Sequence, residues 1–551
     1  MLKTSCSVLL ISPAFPVATF WNNKESVKVT GARHSAIPLG LLTVAAMLPA
    51  HWQCRLIDRN VSDVSNADFE WADLVMTGGM NVQRVDCLDI ISRAQALGKV
   101  VVVGGPDVTS EPESYHRADF IVKGEAEAVI QDFIAAWESG ERRGVFIAEK
   151  FTVDVTKSPS PRYDLLRRSD YQYLSIQFSR GCPFNCEFCD IIELYGRVPR
   201  VKTIDQMLRE LDALHAGGYR GHLDFVDDNF IGNKKAVKTL LPHLITWQQK
   251  HDYPFIFSTE ASVNLADDDA LLAMMRQAGF FVVFIGIESP DGDTLVAAQK
   301  KQNTRRSLAN SLHKIYGAGI FAIAGFIVGF DTEKGSIAEE MVNCIEEADI
   351  PVCMVGLLTA LANTQLTTRL KREGRMFPAD WLLRAWPEKG GDQCTLGLNF
   401  ETKRPRREVL MDYKNVIDRI YTPESYFGRT KRLARQLDCF WPPKATVPTG
   451  WRFAGLSSDD WRNLFRLLRS ACRLHPLALR HYLETLYVCA RTNPGALPAV
   501  ALMCAFYLHL GPFSRIVSAS IAQQIAEVDD GTWQSPIAYS AARPIKKALE
   551  G

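Results

Sequence analysis

At 551 residues the chain is too long for one hydrophobic core, and at about 100 to 200 residues per domain it implies about three. With 63 basic and 62 acidic residues it has no broad electrostatic footprint for nucleic acid, which leaves a small-molecule or lipid substrate. Hydrophobic residues at 47% and charged residues at 23% are those of an ordinary globular protein rather than a disordered one.

The chain opens with short apolar runs separated by helix-length segments: Val8–Ser12, Cys54–Asp58, Asp73–Thr77, Val100–Gly104 and Asp119–Lys123. Strands buried on both faces read this way, so residues 1–145 are expected to form a doubly wound parallel sheet, an α/β domain. Met1–Leu10 carries no secretory signal, and thirteen cysteines, odd in number and scattered, fit free thiols in a reducing cytoplasm. Ligands of such sheets bind at the carboxyl ends of the strands, which here carry Ser12, Pro13, Thr77, Gly78, Gly104, Gly105, Pro106, Gly124 and Glu125. No G-x-G-x-x-G or G-x4-G-K-[ST] occurs at these turns, which argues against a dinucleotide or a nucleoside triphosphate. His34 lies in the long first connection and reads as a solvated loop histidine.

A polar, proline-rich stretch, Lys157–Arg162, marks a boundary, and residues 146–172 are read as a linker. Beyond it, Arg180–Asp190 places Cys182, Cys186 and Cys189 in a C-x3-C-x2-C spacing. Three clustered thiolates without a fourth suit a 4Fe-4S cluster with one iron open to a small molecule. Structural zinc normally takes four ligands in paired spacings, and the nearest downstream histidine is His215.

Residues 173–380 repeat a strand-helix pattern, with strands expected at 173–179, 221–226, 255–259, 281–286, 322–329 and 352–357. A partial TIM-type (β/α)6 barrel is the natural closure, with functional groups at the strand ends. Those ends carry Asp227, Asp228, Glu260, Ser262 and Glu288, and the fifth strand carries Gly325, Ile327 and Gly329. Tyr195, Arg197 and Arg200 follow the cysteine loop; either arginine could clamp an anion or lie solvated.

Residues 381–551 read as mostly helical, with apolar periodicity over 406–420, 460–472 and 475–490. Trp381, Arg384 and Trp386 are candidates to cover the barrel mouth. The apolar run 496–510 is shorter than the ~20 residues of a membrane span and reads as a buried helix, leaving open surface contact with a bilayer.

The cysteine loop with Phe188, the preceding glycine-marked sheet and the ordered acidic strand ends together resemble the cobalamin-dependent (class B) radical SAM enzymes. Phe20–Asn22, Pro38–Ala46, Val226–Asn233 and Gly325–Asp331 resemble the subgroup that contains the hopanoid C-2 methylases. The resemblance implies a cluster on Cys182, Cys186 and Cys189. It implies S-adenosylmethionine (SAM) against Phe188, Asp227, Asp228, Glu260, Ser262, Glu288, Gly325, Ile327 and Gly329. It further implies cobalamin over the strand ends of the first sheet, with no histidine on cobalt, because none of the eleven histidines has an aspartate two residues before it. The implied reaction is C-methylation of an unactivated carbon of a lipid or secondary metabolite by a 5'-deoxyadenosyl radical and methylcobalamin, fed by an external electron donor. The same motifs leave two alternatives: cyclisation or ring rearrangement without methyl transfer, and a non-catalytic cobalamin- or metal-binding regulator. No residue is assigned as a general acid or base.

Overall fold

The computed structural model describes residues 5–16, 19–378, 381, 392–438, 458–474 and 476–537. Arg384 and Trp386, expected at the barrel mouth, lie outside them, whereas Trp381 packs on Phe377 with ring centroids 5.2 Å apart.

The first sheet comprises β1 (Ser7–Ser12), β2 (Gln53–Asp58), β3 (Leu74–Gly78), β4 (Val100–Gly104), β5 (Phe120–Lys123) and β6 (Gly144–Ile147). All pairings are parallel and the order is β2-β1-β3-β4-β5-β6, so the strand order reverses between β1 and β3. Leu9, Ile11, Val75, Val101 and Val103 face a core on one side of the sheet, and Val8, Leu10, Leu74, Met76 and Val102 face a core on the other. Helices cover both faces, and each fully buried aliphatic side chain contributes about 1.5 to 3 kcal/mol of burial free energy. The sixth strand was not expected and crosses the residue-145 boundary; it is an edge strand with Val145 and Ile147 exposed.

The second sheet begins with β7 (Leu174–Ile176). A two-stranded antiparallel ribbon, β8 (Ser179–Arg180) and β9 (Arg200–Val201), then brackets the cysteine loop. The sheet continues with β10 (Gly221–Phe225), β11 (Phe255–Glu260), β12 (Phe280–Glu288), β13 (Phe321–Val328) and β14 (Cys353–Leu357). Its six strands are parallel in the order β14-β13-β12-β11-β10-β7, an open (β/α)6 barrel whose two edges do not pair. Asp224, Ile256, Phe284, Gly286, Ile323, Ile327 and Met354 are only partly buried at alternating strand positions, so the barrel encloses solvent-accessible space.

The remaining described residues are mostly helical. Helix Arg406–Ile420 packs on β13 and β14, where the Tyr413 hydroxyl donates to the Val355 carbonyl at 3.0 Å. The expected helix over 496–510 is longer than the sequence suggested: it runs Leu497–Asp529, straight through Gly511 and Pro512. By length and composition the stretch Pro494–Asp529 could cross a membrane, but 67% of its most apolar window is buried inside the protein. Tertiary packing overrides the local breakers here.

The open side of the barrel is crossed by the connection after β1. The Thr19 hydroxyl donates to Asp392 at 2.6 Å, the Phe20 N–H donates to the same carboxylate at 3.0 Å, and the His509 ring lies 3.2 Å from the Thr19 carbonyl. Trp21 then reaches Phe284 of β12, with ring centroids 6.3 Å apart.

Candidate functional site

The carboxyl ends of the two sheets face each other. Arg180, the residue before Gly181 and Cys182, donates to Glu125 at 2.9 Å and to Glu127 at 2.6 Å, both of which follow β5. Arg200 donates to the second oxygen of Glu125 at 2.8 Å and to the Val153 carbonyl at 3.0 Å. These groups are largely buried, so each carboxylate needs its guanidinium to offset desolvation. Glu125, expected beside a cofactor, is therefore committed to joining the sheets, and Arg200 is an interior clamp rather than a solvated residue.

The cysteine loop is held by its backbone. Gly181 has φ +98°, and a Cβ there would lie 2.9 Å from the Gly196 carbonyl oxygen, so only glycine fits. Asp228 accepts from the Gly181 N–H at 2.7 Å. Asp227 accepts from the Phe178 N–H at 3.0 Å and from the Ser179 N–H and hydroxyl at 2.5 Å each. Burial pushes Asp227 up to about 7 and Asp228 to about 6, against the opposing pull of these donors. Both carboxylates, expected to face a ligand ammonium, brace the loop. Glu187 pairs with Arg369 at 2.6 Å, and Asn185 donates to Gln299 at 2.7 Å, tying the loop to helix Gln365–Arg372 and to the turn after helix Gly292–Ala297.

All three cysteines are free thiols, with Cys186 buried and Cys182 and Cys189 partly so. Burial raises each thiol. Nearby amides reach only toward the sulfurs: Asn229 Nδ2 lies 3.8 Å from Cys182 Sγ and Gln302 Nε2 lies 3.9 Å from Cys186 Sγ. Among the described residues no three His, Cys, Asp or Glu side chains converge on the position of a single ion. A 4Fe-4S cluster takes one thiolate per iron, so ligands spaced along a braced loop fit a cluster better than a mononuclear site.

Lys300 is the main residue that sequence reading missed. Its ammonium pairs with Glu288 at 2.7 Å, lies 6.0 Å from the centre of the Phe188 ring, and is raised by Glu288 and by Cys186 and Cys189 despite desolvation. A buried cation beside thiols favours their ionised form. In the sequence it sits in the polar run Gln299–Asn303, which looks like surface. Glu288 itself holds φ +70°, uncommon for a non-glycine residue, and Asn303 pins the turn by donating to the Gly286 and Ile287 carbonyls at 2.9 Å each.

Glu260 differs from Asp227, Asp228 and Glu288 because no described donor, backbone or side chain, pairs with its carboxylate. It is reached by solvent inside the barrel, yet surrounding protein and the nearby carboxylates of Asp224, Asp228 and Asp227 push it up to about 8. Ser262 accepts from Asn229 at 3.1 Å and donates to Asn264 at 2.6 Å. On β13, Gly325 leaves room for Phe284, because a Cβ there would lie 3.2 Å from its ring, and Ile327 is partly accessible. Gly329 has φ +109°, with its N–H donating to Glu333 at 2.9 Å. Phe188 packs against Phe330, centroids 5.9 Å apart.

In the first sheet the turns after β3 and β4 press together. A Cβ on Gly78 would lie 2.0 Å from the Gly104 carbonyl oxygen, and Gly105, at φ +96°, lies against Gly79. These glycines are explained by the contact between the turns. Thr77 donates to the Ile11 carbonyl at 2.8 Å, a strand contact, and the Gly124 N–H donates to Thr109 at 2.9 Å. Pro13 accepts from Gln83 at 2.6 Å and from Asn60 at 3.1 Å, which fixes the turn after Ser12. Pro106 opens a short helix, and Met80 stands exposed beside these turns. His34 is buried, not solvated: it stacks on Phe15 with centroids 5.9 Å apart, and burial lowers its ring despite Asp58. Apposed turns, an open switch point between β1 and β3 and an accessible apolar side chain fit a flat ligand laid over the strand ends.

Comparison with known proteins agrees with this geometry. Residues 26–134 match the B12 binding domain, residues 176–345 the radical SAM superfamily, and residues 364–523 a domain of unknown function. An uncharacterised methyltransferase of Synechocystis sp. is 40% identical over 98% of both chains. The hopanoid C-2 methylase of Rhodopseudomonas palustris is 38% identical over 71% of this chain and 72% of its own. The fold resembles that of the cobalamin-dependent S-adenosylmethionine radical enzyme OxsB with aqua-cobalamin bound, with a TM-score of 0.56 at 16% identity over 98% of this chain and 84% of that one.

Proposed function

Because the chain belongs to the cobalamin-dependent radical SAM methyltransferases, an enzyme family that uses a 4Fe-4S cluster, SAM and cobalamin, we propose that it methylates an unactivated carbon of a large, mostly apolar lipid or secondary metabolite. The relative named for hopanoid methylation supports an apolar ring system as the substrate class. The observation that carries the reading is the apposition of the two sets of strand ends through Arg180, Glu125 and Glu127.

Bound together, the cofactors supply a carbon-centred radical that removes hydrogen from an unreactive carbon, and a methyl group to replace it. The protein's share is placement and protection. Cys182, Cys186 and Cys189 would hold the cluster through their thiolates, and an iron without a protein ligand would be free to take SAM. Lys300 offsets the negative charge of the thiolates, and Glu288 holds Lys300 in place. Glu260 and Ser262 accept from the ammonium or ribose hydroxyls of SAM, and Phe188, Gly325, Ile327 and Gly329 wall the adenine. Asp227 and Asp228 are positioning residues that act through the loop backbone. Ser12, Pro13, Thr77, Gly78, Gly104, Gly105, Pro106 and Gly124 shape the floor under cobalamin. Trp21, beside Phe284 on the open side of the barrel, would shield bound groups from bulk water. Electrons come from an external donor, and a cytoplasmic setting keeps the thiols reduced.

Incubation of the reconstituted enzyme with methyl-labelled SAM and extracted cell lipids tests the proposal. Label in a lipid product is expected. Turnover to an unlabelled, rearranged product overturns methyl transfer and supports the cyclisation reading.

A further inference from the structure

The helices Ser458–Leu474 and Leu479–Thr492 both pack on helix Leu497–Asp529. They bury Leu467 and Ala471 from the first, and Tyr482, Thr485 and Cys489 from the second. Their opposite sides carry large apolar groups into solvent: Trp461 is 52% exposed, Phe465 67%, Leu483 49% and Tyr487 62%. Trp461 and Phe465 are four residues apart, as are Leu483 and Tyr487, so each pair forms a stripe along its helix. Both helices press helix Leu497–Asp529 and touch each other, so the hairpin carries both stripes on its surface.

The charge of this hairpin differs from that of the chain. From Ser458 to Thr492 there are six arginines and three acids, Asp459, Asp460 and Glu484, whereas the whole chain has 63 basic and 62 acidic residues. Glu484 is already paired with Lys431 at 2.9 Å. Arg469, Arg473, Arg480 and Arg491 are exposed around the apolar stripes. An apolar stripe edged with guanidinium groups matches a bilayer interface. Rings enter the acyl boundary, and long basic side chains stay among the headgroups.

We propose that the outer face of this hairpin docks the protein on an anionic lipid bilayer. The geometry points to peripheral seating, with the central helix Leu497–Asp529 remaining in the protein core. The inference does not depend on the identity of the methyl acceptor, and it is separable from the proposed reaction.

The test is co-sedimentation of the full chain with vesicles of phosphatidylcholine alone or mixed with phosphatidylglycerol. Binding to the anionic vesicles, weakened by high salt, is expected, with little binding to neutral ones. Arg469→Gln with Arg473→Gln lowers partitioning roughly 25-fold, a factor of about five for each cation removed from an anionic surface. Trp461→Ser with Phe465→Ser lowers it further, while circular dichroism stays that of the parent because these side chains are exposed. Reductive SAM cleavage by the reconstituted enzyme is unchanged in both variants, so loss of docking and loss of chemistry are read separately. If the parent stays in the supernatant, or if both double variants sediment as it does, the proposal is overturned.

Discussion

The Thr19 hydroxyl and the Asp392 carboxylate share a hydrogen bond of 2.6 Å across 373 residues of chain. Asp392 is buried, so each donor it accepts offsets desolvation. Thr19→Val removes one donor and keeps the shape, which is expected to lower stability by about 1 to 3 kcal/mol. A lower urea midpoint with an unchanged slope checks it.

Arg180 is the ion-pair partner of both Glu125 and Glu127. Arg180→Met leaves the buried carboxylates short of a counter-charge and is expected to cost about 3 to 5 kcal/mol. Limited proteolysis within residues 146–172 should accelerate in the variant, showing that the two sheets have come apart.

Cys186→Ala is expected to yield a folded protein that, after anaerobic reconstitution, lacks cluster absorbance and full iron content. Lys300→Met keeps all three thiols but removes the buried cation beside them. It is expected to shift the reduction potential of the reconstituted cluster downward, read by a redox titration followed by electron paramagnetic resonance.

Glu260 stands at about 8 with no described partner. A carboxylate that must ionise to accept an ammonium binds it more weakly as pH falls below its own value. SAM affinity measured by calorimetry is therefore expected to rise from pH 6.5 toward 8 and then level. Glu260→Gln should flatten that rise.

His222 is held down to about 3 by burial, with its Nε2 2.6 Å from the Ser258 hydroxyl. The unfolded chain takes up a proton below about 6.5 that the folded chain refuses until far lower. Stability is therefore full above that value and falls as pH drops, by at most about 1.4 kcal/mol per pH unit from this group. His222→Gln should reduce the loss seen between urea melts at pH 7.5 and 5.

Local pattern made much of this legible. Helix Arg406–Ile420 begins and ends where its apolar periodicity does, and five strands of the first sheet were readable as apolar runs. Gly144–Ile147 escaped because an edge strand buries too little to read as a continuous run. In the site, spacing alone marked the three cysteines. Asp227 and Asp228 were visible as strand-end carboxylates, but their donors come from residues 47 to 49 positions away, and nothing local shows that the loop claims them first. Lys300 and Glu125 depend likewise on partners that only the tertiary fold supplies.

The first connection has a consequence for how the chain is made. Thr19 meets both Asp392 and His509, and the Ser26 hydroxyl donates to the Ala505 carbonyl at 2.7 Å. A segment that precedes the whole barrel in the chain thus acquires its lasting partners only when a helix that follows the barrel has been made. The leading sheet is able to form early, as domains generally do during synthesis, but its first connection must wait. The segment therefore settles over Phe284 only after helix Leu497–Asp529 has been made.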